Sequence, residues 1–269
     1  MGTGARLRLH VIASSSKGNC SVVEDTLTDT CLVIDIGICK RDFMDGLASC
    51  GIAPERIAAV LVTHDHSDHT KGLGVSIRGL ARLGVHPPIY AAPELIESCK
   101  AVSEAADTAE LSPLEIGHPF AIEGLDVLPF PTEHDALASC GFRIDAGAES
   151  VGYLTDTGTV TDEIRTALAQ VNILAIEANH DLQMLADGPY PYPLKQRIAA
   201  STGHLSNDQA AELVRELSWS GLASVIALHL SEKNNLPELA QTALASALES
   251  TNASAHVLVS KPHGAVSTS

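Results

Sequence analysis

The sequence is poor in aromatic and in basic residues. Aromatic side chains make up only 3% of the 269 residues, so the core has to be built mainly from Val, Ile, Leu and Ala. Lys and Arg number 17 against 33 Asp and Glu, a formal net charge of −16. This charge argues against a generally basic surface that binds nucleic acid or anionic membranes non-specifically. It leaves a phosphate substrate open, because bound divalent metals can dominate the local charge.

Long apolar runs and paired cysteines are also missing. No run approaches the roughly 18 apolar residues of a membrane span, and the N-terminal stretch has no apolar segment of signal-peptide length. The six cysteines form no C-x-x-C pair, which is typical of reduced thiols. We therefore expect a cytoplasmic protein that has no membrane partner.

What the sequence does contain is a repeated pattern of apolar run, polar cluster and helix. Hydrophobic residues make up 45% of the chain, and no linker or low-complexity tract interrupts it. The pattern predicts a single α/β domain over residues 1–269, with a site at the carboxyl ends of its strands. The least regular stretch, 181–197, is predicted to be a long loop on the same face. His180, just before it, is expected at the surface.

The densest polar cluster is "THDHSDH", directly after the apolar run "AAVLV". His64 and His66 alternate about one extended residue and can point the same way, so both can bind one metal. Asp68 and His69 lie past the turn and can bind a second ion. A single catalytic metal needs only three protein ligands, so this density predicts two ions.

The remaining ligands should follow other strands. His134, Asp156 and His229 fit, and the Asp156 carboxylate can bridge two ions. Imidazole and carboxylate donors without cysteine suit two divalent metal ions, Zn²⁺ or Mn²⁺, with Fe²⁺ also possible.

The motif H-x-H-x-D-H after an apolar strand resembles the signature of the metallo-β-lactamase superfamily, and "LVIDIG" resembles its first motif. The resemblance implies a four-layer αββα sandwich. It also implies an aspartate, Asp35, beneath the cluster. The ligand sets that it implies are His64, His66 and His134 for one metal, Asp68, His69 and His229 for the other, and Asp156 as the bridge.

Several segments are similar to the YycJ/WalJ-type branch, described as metal-dependent exonucleases acting on DNA. They include "SSSKGNCSVV", "GHLSNDQAAELV" and "LHLSEKNNLPELA". "GHLSNDQAA" is also similar to the His-Ser/Thr segment of tRNA 3′-processing enzymes and to a motif of RNA-degrading relatives, which implies that His204 contacts the scissile phosphate or moves a proton. "LAIEAN" resembles the strand-end glutamate of those enzymes, which implies that Glu177 orients His204. Substrate contacts are expected from His204 and Ser206. The turn "SSSKGN" can hold a phosphate or be only a hairpin turn. Its candidate substrate contacts are Ser14, Ser15, Ser16 and Asn19.

The expected function is a dinuclear metal-dependent phosphodiester hydrolase, most specifically a DNA exonuclease in which a metal-bridging hydroxide attacks phosphorus. Asp35, Asp68, Glu177 and His204 are its expected catalytic residues, and single-stranded DNA its expected partner. A small-molecule phosphodiesterase of the cyclic-phosphate or phosphonate-pathway kind is the alternative, and the acidic composition favours it. A thioester or lactam hydrolase and a diiron redox module are further alternatives. Oligomeric state, strand polarity and pathway are left open.

Overall fold

Two seven-stranded mixed sheets form the centre of the protein in the computed structural model, which describes residues 5–269. The first sheet has the order β14-β1-β2-β3-β4-β5-β6. Its strands are β1 (Leu7–Ala13), β2 (Cys20–Asp25), β3 (Thr30–Ile34), β4 (Ile57–Leu61), β5 (Ile89–Ala91), β6 (Leu111–Pro113) and β14 (Val266–Ser267). Strands β3 to β6 pair in parallel, so their carboxyl ends share one edge.

The second sheet has the order β13-β12-β11-β10-β9-β8-β7. Its strands are β7 (Phe120–Ile122), β8 (Leu125–Pro131), β9 (Cys140–Ala146), β10 (Glu149–Leu154), β11 (Ile173–Glu177), β12 (Ser224–Leu228) and β13 (His256–Val259). Strands β10 to β13 are parallel, and β7 to β10 are antiparallel. The parallel half again collects strand ends at one edge.

Helices connect the parallel strands. They are α1 (Lys40–Ser49), α2 (Ser67–Thr70), α3 (Leu73–Ala81), α4 (Pro93–Ser98), α5 (Lys100–Ala105), α6 (Asp162–Ala167), α7 (Leu182–Asp187), α8 (Tyr192–Ile198), α9 (Asn207–Leu217) and α10 (Pro237–Glu249), with a 3₁₀ turn at Pro54–Arg56. Their starts follow the expected capping chemistry: Thr161 caps α6, Ser206 caps α9 in a capping box with Gln209, and Pro237 lies in the first turn of α10. Among residues 5–269, no helix combines the length and apolar character that crossing a bilayer requires.

Two apolar clusters hold the layers together. The larger joins the inner faces of the two sheets with helices of the first half, and the smaller packs α6, α9 and α10 on the second sheet. A polar contact also links the sheets, from Ser21 Oγ to the Tyr153 hydroxyl at 3.3 Å. The predicted α/β sandwich is confirmed.

The segment 181–197 differs from the predicted loop, since it forms α7 and α8. The Asp181 side chain accepts the Met184 N–H at the start of α7, and prolines occupy the start of α8. Lys195 Nζ donates to the Ala186 carbonyl and ties the two helices together. The expected surface position of His180 was also wrong: this residue is buried, with 1% exposure, because its carbonyl accepts the Asn207 N–H at the start of α9.

Candidate metal centre and active site

Most of the predicted polar residues lie just past the carboxyl ends of strands. Asp35 follows β3, Asp156 follows β10 by two residues and His229 follows β12. Each has a left-handed backbone, with φ of 58°, 48° and 53° respectively. Non-glycine residues rarely adopt this conformation, and it concentrates at functional sites. All three side chains contact the same cluster, Asp35 and Asp156 through His69 and His229 through Asp68.

Three histidines form the first group of donors. His64, His66 and His134 place one ring nitrogen each within 4.8 Å of the others. His66 Nδ1 and His134 Nε2 are 3.2 Å apart, and His134 Nδ1 lies 3.0 Å from the Gly203 carbonyl. His64 Nε2 is buried and has no hydrogen-bond partner. Burial also holds the pKa of His64 well below its usual value, so the ring is neutral, the form that binds metals. A metal ion would satisfy this orphaned nitrogen.

Asp68, His69 and His229 form the second group, also within 4.8 Å. His229 Nε2 lies 3.3 Å from Asp68 Oδ2, and His69 Nε2 lies 3.0 Å from Asp156 Oδ2. The other Asp156 oxygen is 3.8 Å from His134 Nε2. Asp156 therefore stands between the two groups, in the position expected of a bridging ligand.

The charge of the pocket also fits a cation. Burial opposes protonation of His69, yet the Asp156 and Asp35 carboxylates raise its pKa to about 10. Burial likewise would raise the pKa of Asp156, but the surrounding imidazoles keep it well below its ordinary range, so it is ionised. A buried pocket with this negative potential favours a divalent ion.

Asp35 supports the second group from below. Its Oδ2 lies 2.7 Å from His69 Nδ1, which leaves His69 Nε2 to face the donors. Thr63 orients the carboxylate in turn: its N–H donates to Oδ1 at 2.9 Å and its hydroxyl to Oδ2 at 2.7 Å. Thr63 was not among the predicted residues, although it directly precedes His64. Such outer partners fix the tautomer and orientation of a metal-binding histidine.

Glu177 contacts two histidines rather than the one that was predicted. Its Oε1 lies 2.7 Å from His204 Nδ1 and 3.1 Å from His229 Nδ1. Its Oε2 accepts the Thr157 and Leu205 backbone N–H groups, both at 3.1 Å. Although burial opposes ionisation, the His204 and His229 contacts lower the pKa of Glu177 to about 2.

The turn "SSSKGN" is used mostly for support. Ser14 Oγ accepts the His229 N–H at 2.8 Å, and Asn19 Nδ2 donates to Asp68 Oδ2 at 3.2 Å. Ser15 Oγ accepts the Lys17 N–H within the turn. Ser16 lines the cavity, Ser14 and Asn19 contact proposed metal ligands, and a phosphate contact by residues of this turn stays a prediction.

Ser206 is likewise engaged elsewhere. Its hydroxyl accepts the Gln209 N–H at 3.2 Å and it is 1% exposed, so it caps α9; its contact with substrate stays a prediction.

The two donor groups open into a cavity of about 150 Å³. His204 contributes to its wall, as do five of the donors, namely His66, Asp68, His134, Asp156 and His229. Five residues that the sequence did not predict for the site also line it, namely Asp135, Leu194, Arg197, Ile198 and Gly203. The sequence signal for them was proximity: Asp135 follows His134, Gly203 precedes His204, and the other three lie in or directly after the segment predicted to be a loop.

Comparison with known proteins agrees with this geometry. Residues 31–230 match the family model described as a beta-lactamase superfamily domain. Exodeoxyribonuclease WalJ of Streptococcus pneumoniae is 32% identical over 241 residues, which cover 88% of this chain and 87% of that protein. Exodeoxyribonuclease YycJ of Bacillus anthracis is 28% identical over 243 residues, which cover 90% and 89% respectively.

Among solved structures, the metallo-beta-lactamase fold protein YhfI from Bacillus subtilis superposes with a TM-score of 0.74 at 17% identity. The superposition covers 97% of this chain and 100% of that one. This likeness concerns the fold.

The two-sheet fold and the His/Asp cluster define a metal-dependent hydrolase that binds divalent metal ions. The chain belongs to the beta-lactamase superfamily.

Proposed function

We propose that the protein hydrolyses phosphodiesters with the help of two divalent ions and that its substrate is DNA, degraded from an end of a single strand. Relatives 28–32% identical over most of the chain are named exodeoxyribonucleases. The observation that carries the proposal is the His204–Glu177 pair beside the two donor groups. It sets a proton donor next to a site suited to a phosphate.

The proposed ligands are His64, His66 and His134 for one ion, Asp68, His69 and His229 for the other, and Asp156 for both. Zn²⁺ or Mn²⁺ suits these donors, and Fe²⁺ is compatible with them. When bound, the ions supply activation of water and neutralise negative charge on the phosphorus centre.

The side chains of this protein have distinct tasks in that reaction. Asp35 and Glu177 hold His69 and His229 in the tautomer that presents Nε2 to the ion. His204 lines the cavity with its Nδ1 occupied by Glu177, so its Nε2 is the atom that can meet the leaving oxygen. Burial lowers and the Glu177 and Asp156 carboxylates raise the pKa of His204, and the net shift is upward. The ring is thereby suited to donate a proton near neutral pH.

A small-molecule phosphodiesterase remains the second candidate, because the net charge is −16 and the cavity measures only about 150 Å³. Drug-sized ligands usually occupy roughly 300–1,000 Å³. A substrate with a single phosphodiester would fit this space without approaching the acidic surface.

A time course with 5′-labelled single-stranded DNA and added Mn²⁺ or Zn²⁺ distinguishes the DNA exonuclease from the small-molecule phosphodiesterase. A chromogenic phosphodiester is assayed in parallel, for the wild type, His66→Ala and His204→Ala. His118→Ala is the matched control, since that side chain is 68% exposed and contacts only Glu115 among the ion pairs of residues 5–269.

Stepwise shortening of DNA that both site variants lose and the control keeps would support the exonuclease. Turnover of the chromogenic diester without shortening of DNA would favour the small-molecule enzyme. If wild-type protein shown to hold two metals neither shortens DNA nor turns over the chromogenic diester, the proposal of phosphodiester hydrolysis is overturned.

A further inference from the structure

We propose that Arg197 binds a phosphate of the substrate next to the one that is cleaved, an inference that rests on the proposed nuclease function. The ligand is a nucleic-acid backbone phosphate outside the cavity. Among residues 5–269, Arg197 is the one lysine or arginine that lines the cavity wall.

The backbone around Arg197 is fixed relative to His204. Arg197 lies in the last turn of α8, and the next residue, Ile198, accepts the His204 N–H at 2.9 Å through its carbonyl. Gly203 passes so close that an added Cβ would lie 2.4 Å from the Arg197 carbonyl oxygen. The guanidinium therefore starts from a backbone position held beside the proposed proton donor.

One edge of the guanidinium is held and the other is free. Arg197 Nε donates to Asp135 Oδ2 at 2.5 Å, while the side chain stays 60% exposed. Within the part of the chain that the structure describes, the hydrogen bonds of this group stop at that contact. Its two terminal nitrogens can therefore meet a phosphate in the paired geometry that arginine favours.

The size of the cavity locates that phosphate. About 150 Å³ admits the scissile phosphate with part of a sugar, so the rest of a DNA strand has to lie across the rim. The rim belongs to a chain of net charge −16, and three carboxylates, of Asp68, Asp135 and Asp156, line the cavity. A fixed guanidinium at this point offsets their repulsion of the neighbouring phosphate.

The test compares two substrates in four proteins. The substrates are a labelled single-stranded oligonucleotide, which carries neighbouring phosphates, and bis(4-nitrophenyl) phosphate, which carries none. The proteins are the wild type, Arg197→Ala, Arg197→Lys and Arg165→Ala. Arg165 is the matched control because its Nε donates to Glu216 at 2.8 Å with the side chain 41% exposed, outside this cavity. Thermal unfolding of all four checks their folding.

We expect Arg197→Ala to raise KM for the oligonucleotide roughly 10- to 100-fold, with a much smaller change in kcat, because a charge-assisted contact is lost. The loss in kcat/KM on the oligonucleotide should exceed the loss on the small diester by at least about tenfold. For Arg197→Lys, KM for the oligonucleotide should lie between those of the wild type and Arg197→Ala, since lysine keeps the charge but not the paired N–H donors of the guanidinium. The slope of log KM against log salt should drop by about 0.7 for one single-strand phosphate.

If Arg197→Ala loses the same factor in kcat/KM on both substrates, the inference is overturned, and Arg197 acts through Asp135 and its neighbour His134. An unchanged KM for the oligonucleotide, in protein that degrades it, would overturn the inference and leave the nuclease function standing. If the wild type turns over the small diester but does not cleave the oligonucleotide, both the Arg197 inference and the proposed nuclease function are overturned.

Discussion

Replacement of Glu177 by glutamine tests whether one buried carboxylate supports both the proposed metal ligand His229 and the proposed proton donor His204. Glutamine has nearly the same shape, but its amide offers one acceptor oxygen where the carboxylate offers two. If that oxygen keeps the Thr157 and Leu205 N–H groups, the amide NH₂ faces the two Nδ1 atoms. Both rings must then accept at Nδ1 and carry their proton on Nε2, and a protonated Nε2 on His229 cannot bind a metal.

The expected size of the effect follows from the contacts. Loss of the outer partner of a metal-binding histidine typically costs about 10- to 100-fold in metal affinity, or about 1.4–2.8 kcal/mol. That range matches the roughly 1.5–3 kcal/mol of a hydrogen bond to a charged group, here the 3.1 Å contact with His229. The carboxylate 2.7 Å from His204 is also lost, so the protonated ring is no longer stabilised and kcat should stay about 10²- to 10⁴-fold low even at saturating metal.

The assay titrates chelator-treated protein with Zn²⁺ against a chromophoric competitor and measures turnover of a chromogenic phosphodiester across the same titration. Glu149→Gln is the control, because its carboxylate also accepts backbone N–H groups, from Arg6 and Leu7, but contacts no site histidine. Glu177→Gln that binds Zn²⁺ as tightly as the wild type, with kcat within about threefold, would refute this account of the carboxylate.

Two further perturbations probe the frame of the site and of the fold. Gly37→Ala places a Cβ 1.6 Å from the Asp68 carbonyl oxygen, so we expect the unfolding temperature to fall by about 2–10 °C and the metal content to fall with it. Gly74→Ala is the control, because its Cβ would meet only the end of a flexible side chain at 3.4 Å, and it should keep both its unfolding temperature and its metal content. Burial opposes ionisation of Asp25, but Arg6 lowers its pKa to about 2, so its contribution to stability is present above about pH 4 and is lost as the pH falls towards 2. Urea unfolding at several pH values should show a smaller loss in that window for Asp25→Asn than for the wild type; equal losses would contradict this reasoning.

The four donors of the predicted metal cluster could be grouped from the sequence because they are neighbours in the chain. His64, His66, Asp68 and His69 fall within six positions after a buried strand, so no tertiary information is needed to place them together. Asp156 and His229 could be chosen only because strands in α/β folds end at a common edge. The structure places both beside the cluster, as the pattern predicts.

Prediction failed where distant contacts decide the local conformation. The segment 181–197 contains "GPYPYP", whose prolines and glycine favour a loop, yet it forms α7 and α8; its first residue, Asp181, donates its N–H to the distant Asn234 carbonyl at 2.9 Å. His180 is surrounded by polar residues in sequence, and it is buried only because the start of α9 covers it. Neither contact has a periodic pattern in the sequence.

The left-handed residues at the strand ends show why ligand geometry needs the whole fold. A non-glycine residue in this conformation costs about 1–3 kcal/mol, and Asp35, Asp156 and His229 all adopt it. At His229 the surroundings impose it from two directions: Ser14 Oγ accepts its N–H at 2.8 Å, and Asn179 Nδ2 donates to its carbonyl at 2.8 Å. Because these groups come from opposite halves of the chain, the turn that aims His229 depends on how both sheets pack. Its imidazole is therefore positioned by protein hydrogen bonds to its backbone and by the Glu177 contact at Nδ1.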